Sequence, residues 1–289
     1  MDDLVQVNGV DYYVTVQGHG RPLVLLHGFT GSSANWEGVT AVLAPHFRLL
    51  TIDLLGHGRT SSLPDPARYQ MEKAAADVTA LIQKILTAED AKNAERTKTP
   101  RSPRPQRFNL LGYSMGGRLA LYIALRYPHL INALILESAS PGLATETERA
   151  ARRQRDEALA NRVERDGVPA FVDFWEKLSL WESQKQLPEA PRLALRRQRL
   201  QNNPTGLANS LRGMGTGAQP SLWSRLGELE TPVLLLAGEL DAKFVGINRQ
   251  MAAQIPRARL EIVAGAGHTI HLERPQVFDA LVGKFLGGG

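Results

Sequence analysis

The chain has 289 residues, 43% of them hydrophobic and 22% charged, with a formal net charge of +5. That length can bury a substantial core, as one large domain or as a domain carrying an insertion. There is no cysteine, which excludes disulfides, thiolate metal sites and cysteine nucleophiles, and no run nears the roughly 18 apolar residues of a membrane helix. The opening MDDLVQV is acidic and has neither the basic n-region nor the apolar h-region of a secretory signal, so a cytoplasmic protein is expected. The positive excess reads as solvated surface or as an attraction for small anions. No helix-turn-helix, zinc-finger or aromatic-basic pattern accompanies it, and nucleic acid is not an expected partner.

In chain order, LVQV and YYVTV flank Asn8-Gly9, a pair suited to a tight hairpin. PLVLLHG, FRLLTIDLLG, FNLLGYS, INALILES, PVLLLAGELD and RLEIVAGAGH follow. Continuous rather than alternating apolar runs suit strands buried on both faces, as in a parallel sheet covered by helices. Helical periodicity over 71–86, 118–126 and 247–254 supplies the covering layers. An α/β fold follows, with a mostly parallel sheet of eight strands flanked by helices.

Two stretches break the pattern. Residues 142–225 have no strong strand signal and hold 14 Arg or Lys against 10 Asp or Glu. They read as a helical cap inserted between two parts of one core, 1–141 and 226–289. Residues 88–107 are polar, contain three prolines and read as a surface loop.

Gly112-Tyr113-Ser114-Met115-Gly116 fits G-x-S-x-G between a strand and a helix, the context of a nucleophile elbow. Glycines relieve crowding where the chain turns tightly, leaving Ser114 exposed as a nucleophile. A serine needs a base, and the base an orienting acid. Asp241 and His268 each follow an apolar strand, in the order Ser, Asp, His. Glu239 and His271 are the alternatives within reach, and His57 reads as a loop stabiliser. Backbone N–H groups of Met115, after the serine, and Phe29, after His27-Gly28, are the expected oxyanion donors. His27 reads as structural. Arg118 lies one helical turn beyond Ser114, and could pair with a structural carboxylate or grip a substrate carboxylate bidentately.

These features resemble the α/β-hydrolase superfamily over nearly the whole chain. GYSMGGRLAL, ESASPGL, RLQNNPTGLANSLRGMGTGAQPSLW, GELDAKF and GHTIHLE together look like the 2-succinyl-6-hydroxy-2,4-cyclohexadiene-1-carboxylate synthases of menaquinone and phylloquinone biosynthesis. The resemblance implies a carbon-oxygen lyase that eliminates pyruvate from an enolpyruvyl tricarboxylate, with no metal or organic cofactor. Ser114 would be the base, assisted by His268 and Asp241. It also implies that Arg118, Arg152 and Arg199 bind substrate, with Tyr113 and Trp175 as aromatic neighbours. Arg153 rivals Arg152, Arg196 and Arg197 lie near Arg199, and Phe174 aligns almost as well as Trp175. A serine esterase or C–C hydrolase of the same fold is the alternative.

Overall fold

The computed structural model describes residues 2–97 and 105–287. All eight apolar runs are strands: β1 (Asp2–Val7), β2 (Val10–Gln17), β3 (Arg21–Leu26), β4 (Phe47–Ile52), β5 (Phe108–Tyr113), β6 (Ile131–Glu137), β7 (Val233–Gly238) and β8 (Ala258–Val263). Helices between and after them are α1 (Glu37–Leu43), α2 (Met71–Thr97), α3 (Met115–Arg126), α4 (Glu146–Trp175), α5 (Glu189–Leu200), α6 (Pro204–Met214), α7 (Ala242–Ala252), α8 (Ile270–Glu273) and α9 (Pro275–Phe285). The strands form one sheet in the order β1-β2-β4-β3-β5-β6-β7-β8. The β1–β2 and β2–β4 pairs are antiparallel and every later pair is parallel.

Strand geometry sends successive side chains to opposite faces. Val24, Leu26, Leu110, Leu134 and Leu235 accordingly pack on one side with α2 and α3 residues such as Val78, Ile82 and Leu119. Leu23, Leu25, Leu111, Ile135 and Leu234 pack on the other with Trp36, Val39 and Phe278. Both faces are covered, which is why the runs lack polar alternation.

The stretch 88–107, expected to be a loop, is helical as far as Thr97. Its first ten residues, AEDAKNAERT, are rich in Ala, Glu, Lys and Arg, good helix formers. The prolines begin only at Pro100, and residues 98–104 lie outside the described residues.

Between β6 and β7 the chain is helical and contributes no strand. Here α4 bends at Gly167, whose φ of 79° is open to glycine without strain, and Pro169 follows at once. The segment is tied to the core by polar side chains. Gln198 donates to Asn35 Oδ1 at 2.6 Å, and Asn202 Nδ2 donates to Thr30 O at 2.9 Å. Asn202 Oδ1 also accepts from Gly58 N at 3.2 Å. Among the described residues no helix is long and apolar enough to cross a membrane.

Candidate active site

The carboxyl ends of β3, β5, β6, β7 and β8 face the helical segment, the usual place for a ligand in a parallel sheet. At the end of β5, Ser114 has φ 51° and ψ −107°, a conformation strained for any residue with a Cβ. Two features hold it there. Its N–H donates to Glu137 O at 2.9 Å. Gly112 and Gly116 let β5 and α3 meet, since a Cβ on Gly112 would collide with Gly116 O, and one on Gly116 with Leu26 O. Any side chain at either position would force the backbone around the serine to shift.

Ser114 Oγ lies 3.0 Å from His268 Nε2, and His268 Nδ1 lies 2.6 Å from Asp241 Oδ2. Both distances suit hydrogen bonds, so the serine, imidazole and carboxylate form one continuous array. Asp241 is also the N-cap of α7, accepting from Phe244 N at 3.3 Å. His268 is 2% exposed and is walled by the rings of Phe244 at 4.7 Å, Tyr113 at 5.6 Å and Trp181 at 5.6 Å.

Buried carboxylates brace the histidine loop from behind. Glu273 accepts from Gly267 N at 2.6 Å and Thr269 N at 3.1 Å, bracketing His268. Glu137 accepts from both the backbone and the ring Nδ1 of His271, at 3.0 and 2.8 Å. His271, an alternative base on sequence, is thus engaged with Glu137, which is itself fully buried. Glu239, the alternative acid, accepts from Gly265 N at 2.9 Å, on an exposed turn. Neither alternative bonds the serine–histidine pair.

His27 is structural. Its Nε2 accepts from Leu54 N at 2.9 Å and its Nδ1 lies 2.8 Å from Gly28 O, fixing the loop after β3. Burial pushes its pKa down to about 4, so it is neutral. His57, which bonds Leu55 O at 3.2 Å, is pushed by burial to about 3. Both therefore act as the loop fasteners their positions suggested.

A cavity of about 200 Å³ opens beside Ser114 and His268. Phe29 and Met115 border it, as do Tyr113, Trp175, Arg118 and Arg152. Met115 begins α3, and a helix's first N–H has no intrahelical acceptor, so it is available to an anion. A Cβ on Gly28, the residue before Phe29, would stand 3.4 Å from Ser114 Cβ, which puts that loop against the serine.

The arginines differ sharply. Arg118 Nη1 donates to Met214 O at 2.7 Å and Gln219 Oε1 at 2.9 Å, and no carboxylate of the described residues is within ion-pair distance. Burial, then the neighbouring charge of Arg152, lowers its pKa to about 10, which leaves it charged at neutral pH. Arg152 Nε donates to Asp156 at 2.7 Å, and its terminal nitrogens have no partner among the described residues. Arg153 instead pairs with Glu146 on the surface and, unlike Arg152, does not border the cavity.

Arg199 is not in this cavity. It is 5% exposed, donates to Glu176 at 3.0 Å and Gln184 at 3.2 Å, and lies over the outer face of Trp181 at 5.3 Å. Gln184 donates in turn to Thr269 Oγ1 at 2.8 Å, which bonds the Tyr113 hydroxyl at 2.9 Å. Burial raises the Tyr113 pKa far above the ordinary phenol value, so the hydroxyl stays protonated. Arg196 pairs with Asp173 and Glu176, and Arg197 is exposed. Trp175 borders the cavity and stacks on Phe171 at 5.6 Å, whereas Phe174 faces away under Arg162 at 3.9 Å.

Sequence reasoning missed Trp181, Phe244 and Lys243, which also border the cavity. Trp181 sits in a short 3-10 helix, Ser179–Gln186, and only its aromatic character could have marked it. Lys243 and Phe244 stand two and three residues beyond Asp241 in LDAKF, in the first turn of α7, and that spacing was the signal.

A parallel sheet flanked by helices, a strained strand–helix serine and a Ser-His-Asp array at strand ends define an α/β hydrolase. The model of the alpha/beta hydrolase family matches residues 23–281. A Bacillus subtilis (strain 168) protein provisionally named 2-succinyl-6-hydroxy-2,4-cyclohexadiene-1-carboxylate synthase is 43% identical over 281 residues, 96% of each chain. The synthase of that name from Enterobacter sp. (strain 638) is 31% identical, over 92% of this chain and 93% of its own. The structure of MenH from S. aureus superposes with a TM-score of 0.84 at 37% identity, over 95% of this chain and 97% of that one. The chain belongs to the 2-succinyl-6-hydroxy-2,4-cyclohexadiene-1-carboxylate synthase family of α/β hydrolases.

Proposed function

We propose that this protein eliminates pyruvate from 2-succinyl-5-enolpyruvyl-6-hydroxy-3-cyclohexene-1-carboxylate, giving 2-succinyl-6-hydroxy-2,4-cyclohexadiene-1-carboxylate for menaquinone or phylloquinone biosynthesis. The observation that carries the reading is an activated serine opening onto a cavity whose lining includes Arg118 and Arg152 and no carboxylate. A tricarboxylate needs fixed cations, and guanidinium forks match carboxylates in geometry and charge.

The array supports a proton-transfer role. His268 Nε2, 3.0 Å from Ser114 Oγ, takes the hydroxyl proton while Asp241 stabilises the imidazolium. Ser114 Oγ then removes a ring proton. The C–H electrons become the new ring double bond as the C–O bond to the enolpyruvyl group breaks. His268 returns its proton to the departing oxygen, and the enol becomes pyruvate. In this reading the backbone N–H groups of Met115 and Phe29, residues that border the cavity, stabilise negative charge on the substrate during proton loss.

The test is pyruvate release from the authentic intermediate, followed with lactate dehydrogenase and compared in the Ser114→Ala variant. The expected result is release by the parent enzyme and a fall of about a thousandfold or more in the variant. Rapid turnover of simple nitrophenyl esters with no pyruvate release would assign the same array to acyl transfer instead.

A further inference from the structure

The cavity beside Ser114 is bordered by three cationic side chains, Arg118, Arg152 and Lys243, and by no Asp or Glu. Two of the three lie together. Arg118 is fastened to Met214 O, and Arg152 borders the same end of the cavity close enough to depress the Arg118 pKa. Lys243 belongs to another wall. It is the second residue of α7, its ammonium is 5.6 Å from the Phe244 ring, and that ring stands 4.7 Å from the His268 ring. Among the described residues Lys243 has neither an ion pair nor a hydrogen bond from its ammonium, although Asp241 is only two residues away. The Asp241 carboxylate is committed to His268 and to the start of α7. An exposed lysine without a partner is commonplace. One bordering an acid-free cavity, on the side of the proton-donating histidine, is placed for an anion. Arg199, by contrast, is held outside by Glu176 and screened by Trp181.

We propose that Lys243 is a substrate-binding residue, the ammonium that holds the carboxylate of the departing enolpyruvyl group while Arg118 and Arg152 hold carboxylates at the other end of the cavity. This deepens the proposed function and rests on it. The leaving oxygen must lie within reach of His268 Nε2 to receive its proton, and the enolpyruvyl carboxylate is attached two bonds from that oxygen. Of the cations bordering this cavity, the one on the wall shared with His268 and Phe244 is Lys243. Its long flexible stem suits a group that must be gripped and then released as pyruvate, where a bidentate arginine would retain it.

The experiment separates binding from turnover. The authentic intermediate is titrated calorimetrically into Ser114→Ala protein, with and without Lys243→Gln, and pyruvate is tested as a product inhibitor of otherwise unaltered enzyme. Lys243→Gln is expected to weaken binding of the intermediate about tenfold or more, the value of one charge-assisted hydrogen bond. It should raise the pyruvate inhibition constant comparably, while Lys243→Arg stays within about threefold of the parent and Arg152→Ala leaves pyruvate inhibition unchanged. Lys284→Gln, an exposed charge on α9 far along the chain, controls for loss of general attraction and should change nothing. The inference is overturned if Lys243→Gln binds within about twofold of the parent, if Lys284→Gln weakens binding equally, or if Arg152→Ala weakens pyruvate as much as Lys243→Gln does. Failure of the proposed function would look different. The parent would release no pyruvate, whatever Lys243 did to binding.

Discussion

The strand ends and the helical segment above them meet at one cavity but are built by different physics. Ser114 is held by steric necessity, in a strained backbone that Gly112 and Gly116 make room for, and His268 is braced by buried carboxylates. The 142–225 segment is held largely by paired charge. Arg149 and Arg153 pair with Glu146, Arg196 and Arg199 with Glu176, and Arg212 with Glu157 and Glu164. The contrast teaches that an arginine count is a poor guide to charge available for a ligand. Most cations of the segment are neutralised where they stand, while Arg118, rooted in the core helix α3, faces carbonyl oxygens only.

The largest expected effect tests the rigid half. Asp241→Asn keeps the shape and the cap of α7 but presents the wrong hydrogen-bonding pattern to His268. Turnover should fall by about three to four orders of magnitude with the melting temperature little changed. A fall below tenfold would mean that the array is not the chemical centre.

Next come the arginines, whose order is the comparison itself. Arg118→Ala should cost about 2–4 kcal/mol in kcat/KM, because it removes an unpaired charge from a secluded site. Arg152→Ala should cost about 1–2 kcal/mol, since Asp156 already offsets part of its charge. Arg199→Ala should cost less in substrate binding than Arg118→Ala, acting through Gln184 and Thr269 on the histidine loop. Equal losses at all three positions would show that Arg199 enters the cavity when substrate binds, and the distinction between core and segment would fail.

Asn202→Ala probes the seam between the two halves. It removes the bonds to Thr30 O and Gly58 N, and a loss of about 1–3 kcal/mol in unfolding free energy is expected from those buried groups. Calorimetric melting checks it. A neutral result would mean that apolar packing alone seats the segment.

The inner strands were legible because burial on both faces leaves an uninterrupted apolar signature, and the elbow because a glycine-flanked serine has few other uses. Ser114, Asp241 and His268 come from three distant segments, yet each follows a strand, so a parallel sheet brings their ends together. What sequence could not rank was the arginines. Arg152 and Arg153 differ only in which side of one helix turn they occupy, and Arg199 is turned from the cavity by Glu176 and Trp181, contacts set by tertiary packing. The extension of α2 to Thr97 was hidden because polar helix and polar loop share a composition until the prolines intervene.

The smallest effect concerns a titration behind the rigid half. Asp279 on α9 has Oδ1 buried without a partner, and burial raises its pKa to about 6, a rise that the neighbouring His271 partly offsets. The unfolded chain has an ordinary carboxyl, near 4. Between those values the native state retains a proton that the unfolded state gives up. Stability from this group is therefore fully present below about pH 4 and is lost as pH rises through about 6. Asp279 is partly exposed, so the effect is reduced by solvent screening to about 1 kcal/mol. Asp279→Asn should raise the melting temperature at pH 8 by a few degrees and leave it unchanged at pH 4. His27 and His57 run the opposite way, since their depressed pKa values cost stability as pH falls below about 6.5. A gain at pH 4 that matched the gain at pH 8 would show that the asparagine improves packing, and that the buried carboxyl does not titrate in the native state.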